Sequence, residues 1–139
     1  MKKILTVMAI IFALSIFAGS ASAATVEGSV QGLLCVTLGK VCPVGFEDPM
    51  IAAENVFVIL TVSGKYYFVP NLDRGIMARH LNEKVKVEGP MSSQFDAITA
   101  DKLYTLRDDG FWNKVWDKKW MNIVIDDLGI PDSFPGKPQ

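Results

Sequence analysis

The strongest strand pattern in the chain runs from Asn55 to Asn71, NVFVILTVSGKYYFVPN. Two runs, Val56–Val62 and Lys65–Val69, are rich in β-branched and aromatic residues, which suit a pleated, half-buried surface. Ser63-Gly64 between them predicts a two-residue hairpin turn, because glycine accepts the positive φ that such turns require. That register sets Val62 opposite Lys65, Leu60 opposite Tyr67 and Ile59 opposite Phe68. Val58, Leu60, Val62, Lys65, Tyr67 and Val69 then share one face. Phe57, Ile59, Thr61, Tyr66, Phe68 and Pro70 share the other. Both faces are largely apolar, whereas an antiparallel sheet with one wet face alternates apolar with polar. The second face therefore needs a cover, supplied by another part of the chain, a partner or a ligand.

The rest of the chain supplies the neighbouring elements. Thr25 to Leu38 reads as a first strand, with Val26, Gly28, Val30, Gly32, Leu34 and Val36 on one face and two glycines that predict a strong bend or bulge. Gly39 to Glu54 is a connecting loop in which Asp48 and Pro49 can start a short helical turn over Met50–Glu54. Asn71 to Asn82 predicts a helix capped by Asp73, with Ile76, Met77, His80 and Leu81 at helical spacing. Lys84–Gly89 alternates Val85 and Val87 with Lys84, Lys86 and Glu88, the pattern of a half-buried strand. Phe95 to Leu106 is a last strand, irregular near Asp101. Beyond it, Asp108 and Asp109 can cap a helix over Gly110–Met121 in which Trp112, Trp116 and Trp120 recur every four residues, an amphipathic helix with an aromatic stripe. The prolines at 131, 135 and 138 mark an irregular end.

Strand, strand, strand, helix, strand, strand is the order of the OB-fold, a five-stranded, partly open Greek-key barrel. The expected fold is thus mainly β: a five-stranded OB-fold-like barrel over residues 24–106, a helix between strands three and four, and a Trp-rich amphipathic helix and irregular tail over 107–139 packed on it. On the Val26–Cys35 strand, the Ser63-Gly64 hairpin, the strand ending in Glu88-Gly89 and the Ala97–Leu106 strand, the chain also resembles the small exported bacterial OB-fold proteins. That resemblance implies a leader, one barrel and no catalytic site.

Residues 1–23 carry a leader. Lys2 and Lys3 precede an apolar run from Ile4 to Ala18, and Ala21-Ser22-Ala23 is a small-x-small cleavage site, the three parts of a secretory signal peptide in order. A periplasmic or secreted location follows, with no stable membrane anchor after cleavage. The 139 residues less 23 leave a domain of 116, enough for one core. Removing the two leader lysines from 14 basic groups leaves 12 against 15 acidic ones, a net charge of −3. With no basic run, nucleic acid is excluded as a partner.

Candidate chemistry is sparse. In an oxidising compartment Cys35 and Cys42 read first as a structural disulfide, stabilising by about 2.5 kcal/mol. The alternative is a thiol-redox or metal-handling protein using the same pair, although active dithiols favour C-x-x-C and six residues intervene here. Some exported OB-fold proteins carry copper on Met, His and Trp. Met77 and His80 could share a helix face, but the strand-borne ligands of that family have no counterparts in the hairpin. No metal or other cofactor is expected. His80 has no nucleophile at a recognisable spacing, and no enzyme activity is expected. The Trp112/Trp116/Trp120 stripe reads first as a cover for the hairpin's spare face, then as an interfacial membrane helix or a partner contact. Tyr66, Tyr67 and Phe68 are the aromatics available for a ligand. The expected function is that of a non-enzymatic binding or accessory protein for a protein, glycan or small molecule. Mass spectrometry of the exported protein is expected to show an N-terminus at Ala24; retention of residues 1–23 would overturn the leader assignment.

Overall fold

The structure is a computed structural model that describes residues 23–42 and 52–129. The leader up to Ser22, the Asp48-Pro49 helix start and the tail from Ile130 lie outside the described residues. Those described form six strands and three helices in the order β1 (Ala24–Gly32), α1 (Leu33–Thr37), β2 (Phe57–Leu60), β3 (Tyr66–Phe68), α2 (Arg74–Ala78), β4 (Lys84–Gly89), β5 (Lys102–Leu106), β6 (Trp112–Asp117) and α3 (Lys118–Asp127).

The strands make one antiparallel sheet in the order β3-β2-β1-β4-β5-β6. The sheet is not closed. It has six strands where the sequence pattern predicts five. Its edge strand β3 meets the segment before β5 at one point, a parallel bridge between Phe68 and Ala97, where Phe68 N–H donates to Asp96 O (2.9 Å) and Ile98 N–H donates to Phe68 O (2.9 Å). One face of the sheet curls around the core of Val26, Val30, Ile59, Val85, Val87 and Leu103, with Leu72 and Met77 closing one end and Ile98 and Ala100 joining from the segment before β5.

Four elements differ from the sequence pattern, among them the last strand, expected over Phe95–Leu106, which begins only at Lys102. The first strand stops at Gly32, and Leu33–Thr37 forms a helical turn because Glu54 caps it, its Oε2 accepting from Leu34 N–H at 2.8 Å. The helix expected over 71–82 is only Arg74–Ala78. Asp73 does cap it, accepting from Ile76 N–H at 3.0 Å. Asn82 then takes φ +63° and returns the chain to β1, its N–H donating to Val30 O (2.9 Å).

The remaining difference is the largest. The helix expected over Gly110–Met121 is a strand, β6, followed by a helix that starts only at Lys118. A tight turn decides this: Gly110, at φ +82°, donates to Arg107 O (2.9 Å), and Arg107 N–H donates to Phe111 O (3.0 Å). Residues 108–110 thus make a three-residue hairpin loop with glycine in the left-handed position. Asp109 serves the turn and caps no helix; its Oδ1 accepts from Phe111 N–H at 3.0 Å.

The tryptophans consequently do not form a stripe. Leu103 faces Trp116 and Tyr104 faces Lys114, so Val115 is an extra residue in β6, a β-bulge. Trp112 faces Leu106. Leu103 and Leu106 lie on opposite faces of β5, so Trp116 enters the core, 5% exposed, while Trp112 stays half-buried on the outer face. Trp120 lies on α3 and is 55% exposed. Trp116→Ala is expected to destabilise by about 3–5 kcal/mol and Trp112→Ala by about 1 kcal/mol. Urea denaturation giving equal losses would restore a single tryptophan face.

Candidate functional site

The hairpin register is offset by one from the simple two-residue turn. Leu60 pairs with Tyr66, Ile59 with Tyr67 and Val58 with Phe68. The cause is the turn. Thr61 N–H donates to Lys65 O (2.8 Å) and Gly64, at φ +82°, donates to Thr61 O (3.0 Å), so three residues rather than two fill the loop. A slip of one residue exchanges faces. Tyr67, not Tyr66 and Phe68, joins Phe57, Ile59 and Val69 on the core side. Tyr66 and Phe68 sit on the outer face with Val58 and Leu60.

None of the three tryptophans reaches that outer face. A groove of about 790 Å³ follows the edge of β3, with the core residues Phe57, Leu72 and Met77 at its floor. It runs from Gly64 and Lys65 at the turn, past Tyr66 and Phe68, to Pro70 and Arg74, with Phe95–Ala97 as the opposite wall. Tyr66 and Phe68 meet edge to face, centroids 5.8 Å apart and planes at 77°. Phe95 is 71% exposed. Across the mouth, Lys65 Nζ lies 2.7 Å from Asp96 Oδ1 and 4.9 Å from the centre of the Tyr67 ring. The hydrogen bond to Asp96, and then that to Tyr67, raises the Lys65 pKa above its ordinary value. At the far end Arg74 donates to the carbonyls of Glu54 (2.6 Å) and Ala52 (3.0 Å) and stacks on Phe57 at 5.8 Å.

The cysteine pair is corrected. Cys35 and Cys42 are both buried, and their sulfurs do not lie at disulfide distance. Cys35 belongs to α1, where its carbonyl accepts from Lys40 N–H (2.9 Å). Cys42 is committed to the other side of the loop. Its N–H donates to Gln31 Oε1 (2.9 Å), its carbonyl accepts from Asn82 Nδ2 (2.6 Å), and its sulfur accepts from Gly32 N–H (3.0 Å). Gln31 Nε2 completes the clamp by donating to Asn82 Oδ1 (2.6 Å). A buried glutamine is tolerated when its amide is so fully paired, and this clamp draws Cys42 onto β1.

Met77 is buried in the core, while His80 lies beyond α2, its Nδ1 2.8 Å from Glu83 Oε2. They do not form a ligand pair. Among the described residues no group of three or more His, Cys, Asp or Glu could hold a metal ion. Among the same residues no helix is long and apolar enough to cross a membrane.

The outer face of β4–β6 is a second aromatic surface, but its own lysines fill it. Lys86 Nζ sits between the rings of Tyr104 (4.7 Å) and Trp112 (5.1 Å). Tyr104 donates to Glu88 at 3.1 Å, and its phenol pKa is raised by burial and then by that bond. Lys114 Nζ lies 3.9 Å from the Trp120 ring centre and 2.8 Å from Asp117 Oδ2. Cation–π contacts of this kind occupy the ring faces a ligand would use. The groove beside β3 is therefore the better candidate site. Of its residues the sequence pattern identifies Tyr66 and Phe68. It misses Phe95, Lys65, Asp96 and Arg74, which lie up to about thirty positions apart in the chain and carry no shared motif. No protein-family model, no characterised relative and no solved structure matches the chain.

Asp117 couples β6 to α3. Its bond to Lys114, reinforced by the Lys119 N–H donating at 3.0 Å, lowers its pKa below the ordinary aspartate value. A depressed carboxylate pKa stabilises the fold above the unfolded-state value, and that contribution disappears as pH falls through the folded-state value. The Trp120 fluorescence is therefore expected to hold from neutral pH to about pH 4 and to change below it, with the acid-dependent step reduced in Asp117→Asn. An unchanged step in that variant would remove Asp117 as its source.

Proposed function

We propose that this chain is an exported, non-enzymatic binding or accessory protein of a bacterial cell envelope, built as an OB-type barrel, that takes its ligand in the groove beside β3. The leader pattern supports export. The strand sequence supports the barrel: β1 lies between β2 and β4, α2 falls between β3 and β4, and the Phe68–Ala97 bridge brings β3 beside the segment leading into β5. OB-folds bind along their second and third strands, where this groove lies. Fold alone does not give function, so the reading rests on the site. One observation carries it. Half-buried Tyr66 and Phe68 and the exposed Phe95 line an open cavity of ligand size beside β3, floored by Phe57, Leu72 and Met77.

A fragment library screened by NMR against the full chain tests the reading without a known ligand. The hits are expected to shift the amides of Tyr66, Phe68 and Phe95 together, and to weaken several-fold in Phe68→Ala. Hits mapping to the β4–β6 face, or no hits at the groove, would overturn it.

A further inference from the structure

The groove has a chemical property that its aromatic lining does not explain. In an antiparallel pair, alternate residues turn their backbone groups toward the partner strand and then away from it. Thr61–Lys65 is a hydrogen-bonded pair, so Ile59–Tyr67 is the next, and Tyr66 and Phe68 direct their N–H and C=O to the free edge of β3. Phe68 obeys this: its N–H donates to Asp96 O and its C=O accepts from Ile98 N–H. A parallel ladder continuing backwards would give Tyr66 the same treatment from residues 94 and 96. It does not continue. Ala97 N–H donates to Phe95 O (2.8 Å), Ser92 N–H donates to Ala97 O (2.8 Å), and Ser92 Oγ accepts from Phe95 N–H (3.2 Å). The loop closes on itself and veers off after a single bridge. Among the described residues nothing bonds to the N–H or C=O of Tyr66. The space the missing strand would fill is the groove.

We propose that the groove is a strand-docking site: it takes an extended peptide segment, apolar at alternate positions, whose main chain pairs with the N–H and C=O of Tyr66. The segment continues a ladder the chain has already begun at Phe68, so its register is set in advance. Every second side chain falls on Tyr66, Phe68 and Phe95, which is how strand addition combines main-chain affinity with side-chain selectivity. A glycan fits less well. Sugar rings stack on flat aromatic faces, and Tyr66 and Phe68 stand at 77° to each other, edge to face. Lys65 and Asp96, 50% and 59% exposed, bridge the mouth. A surface pair of this kind parts easily, and its opposite charges suit the alternating donors and acceptors of a peptide backbone.

This inference rests on the groove reading, and its test separates the two. Acetylated hexapeptides of alternating valine and threonine, with variants at each position, are titrated into the isotope-labelled full chain. The tightest binder is remade with N-methyl groups at its odd or at its even positions. One methylated register is expected to lose binding by about tenfold or more, through the loss of its edge hydrogen bonds, while the other binds like the parent. Exchange of the Tyr66 amide is expected to slow on saturation. Tyr66→Pro removes the edge N–H without removing a ladder bond; it is expected to weaken binding while the amide protection of Ile59 and Tyr67 persists. The inference is overturned if no hexapeptide binds at millimolar concentration, if both methylated peptides bind like the parent, or if Tyr66→Pro binds unchanged. Chitohexaose serves as the second probe. If it shifts Tyr66, Phe68 and Phe95 while no peptide does, the groove is a binding site and the peptide assignment is wrong. If neither probe shifts them, both readings fall.

Discussion

The architecture depends on β1 being paired along both edges. Ala24 to Ser29 pair with β4, and Ser29 to Gly32 pair with β2, so Ser29 serves both neighbours. A strand held by a neighbour at each of its two halves has little freedom of register. Gly28 marks how close the approach is: a Cβ there would meet the Leu60 carbonyl directly. With β2 fixed against β1, the Thr61–Lys65 turn fixes β3, and β3 decides which aromatics face the core and which face the groove. The buried clamp of Gln31, Asn82 and Cys42 fastens the far end of β1 to the segments on either side of it. The outer groove is thus a consequence of pairings made in the middle of the sheet.

Much of this was legible in the sequence, and the failures have two causes. Lys84–Gly89 has the expected bounds, because a clean alternation of valine with charge admits one reading. Asp73 caps its helix, whereas the last strand, expected from Phe95, begins only at Lys102. The errors came from patterns that two geometries share. A spacing of four residues lies on one face of a helix and on one face of a strand, so Trp112, Trp116 and Trp120 could not tell the two apart. The deciding signal was Asp109-Gly110, the same type of turn that Gly64 makes 46 residues earlier in another hairpin. Both loops hold glycine at φ +82° in the third position. A bulge at Val115, invisible in composition, then sent Trp112 and Trp116 to opposite faces.

The hairpin register and the cysteine pair failed for reasons no local pattern carries. Two-residue and three-residue loops both fit Val62-Ser63-Gly64, and only the partner strands choose between them. The choice moved Tyr67 to the core and left Tyr66 and Phe68 outside. Cys35 and Cys42 are close in sequence, but each answers to a different part of the fold. Cys35 follows a helical turn capped by Glu54, nineteen positions away, and Cys42 follows Gln31 and Asn82. Proximity along the chain is a weak guide when buried hydrogen bonds to distant residues hold both ends.

The contrast between the two sides of the sheet gives the groove its meaning. Elsewhere several buried polar groups are paired and several rings are occupied. Gln31 has partners for both amide atoms, Asn71 bonds Ala100 at both its N–H and its C=O, Lys86 covers Tyr104 and Trp112, and Lys114 covers Trp120 of α3. Beside β3, half-buried Tyr66 and Phe68 and the exposed Phe95 line an open groove, and next to them one residue of an edge strand presents both backbone groups to open space. Exposed edges invite pairing, and proteins usually blunt them with charge, bulges or a covering segment. Here the covering segment arrives, makes one bridge at Phe68 and turns away. Unpaired backbone and exposed aromatic surface thus fall at the same place, where a strand from outside would satisfy both.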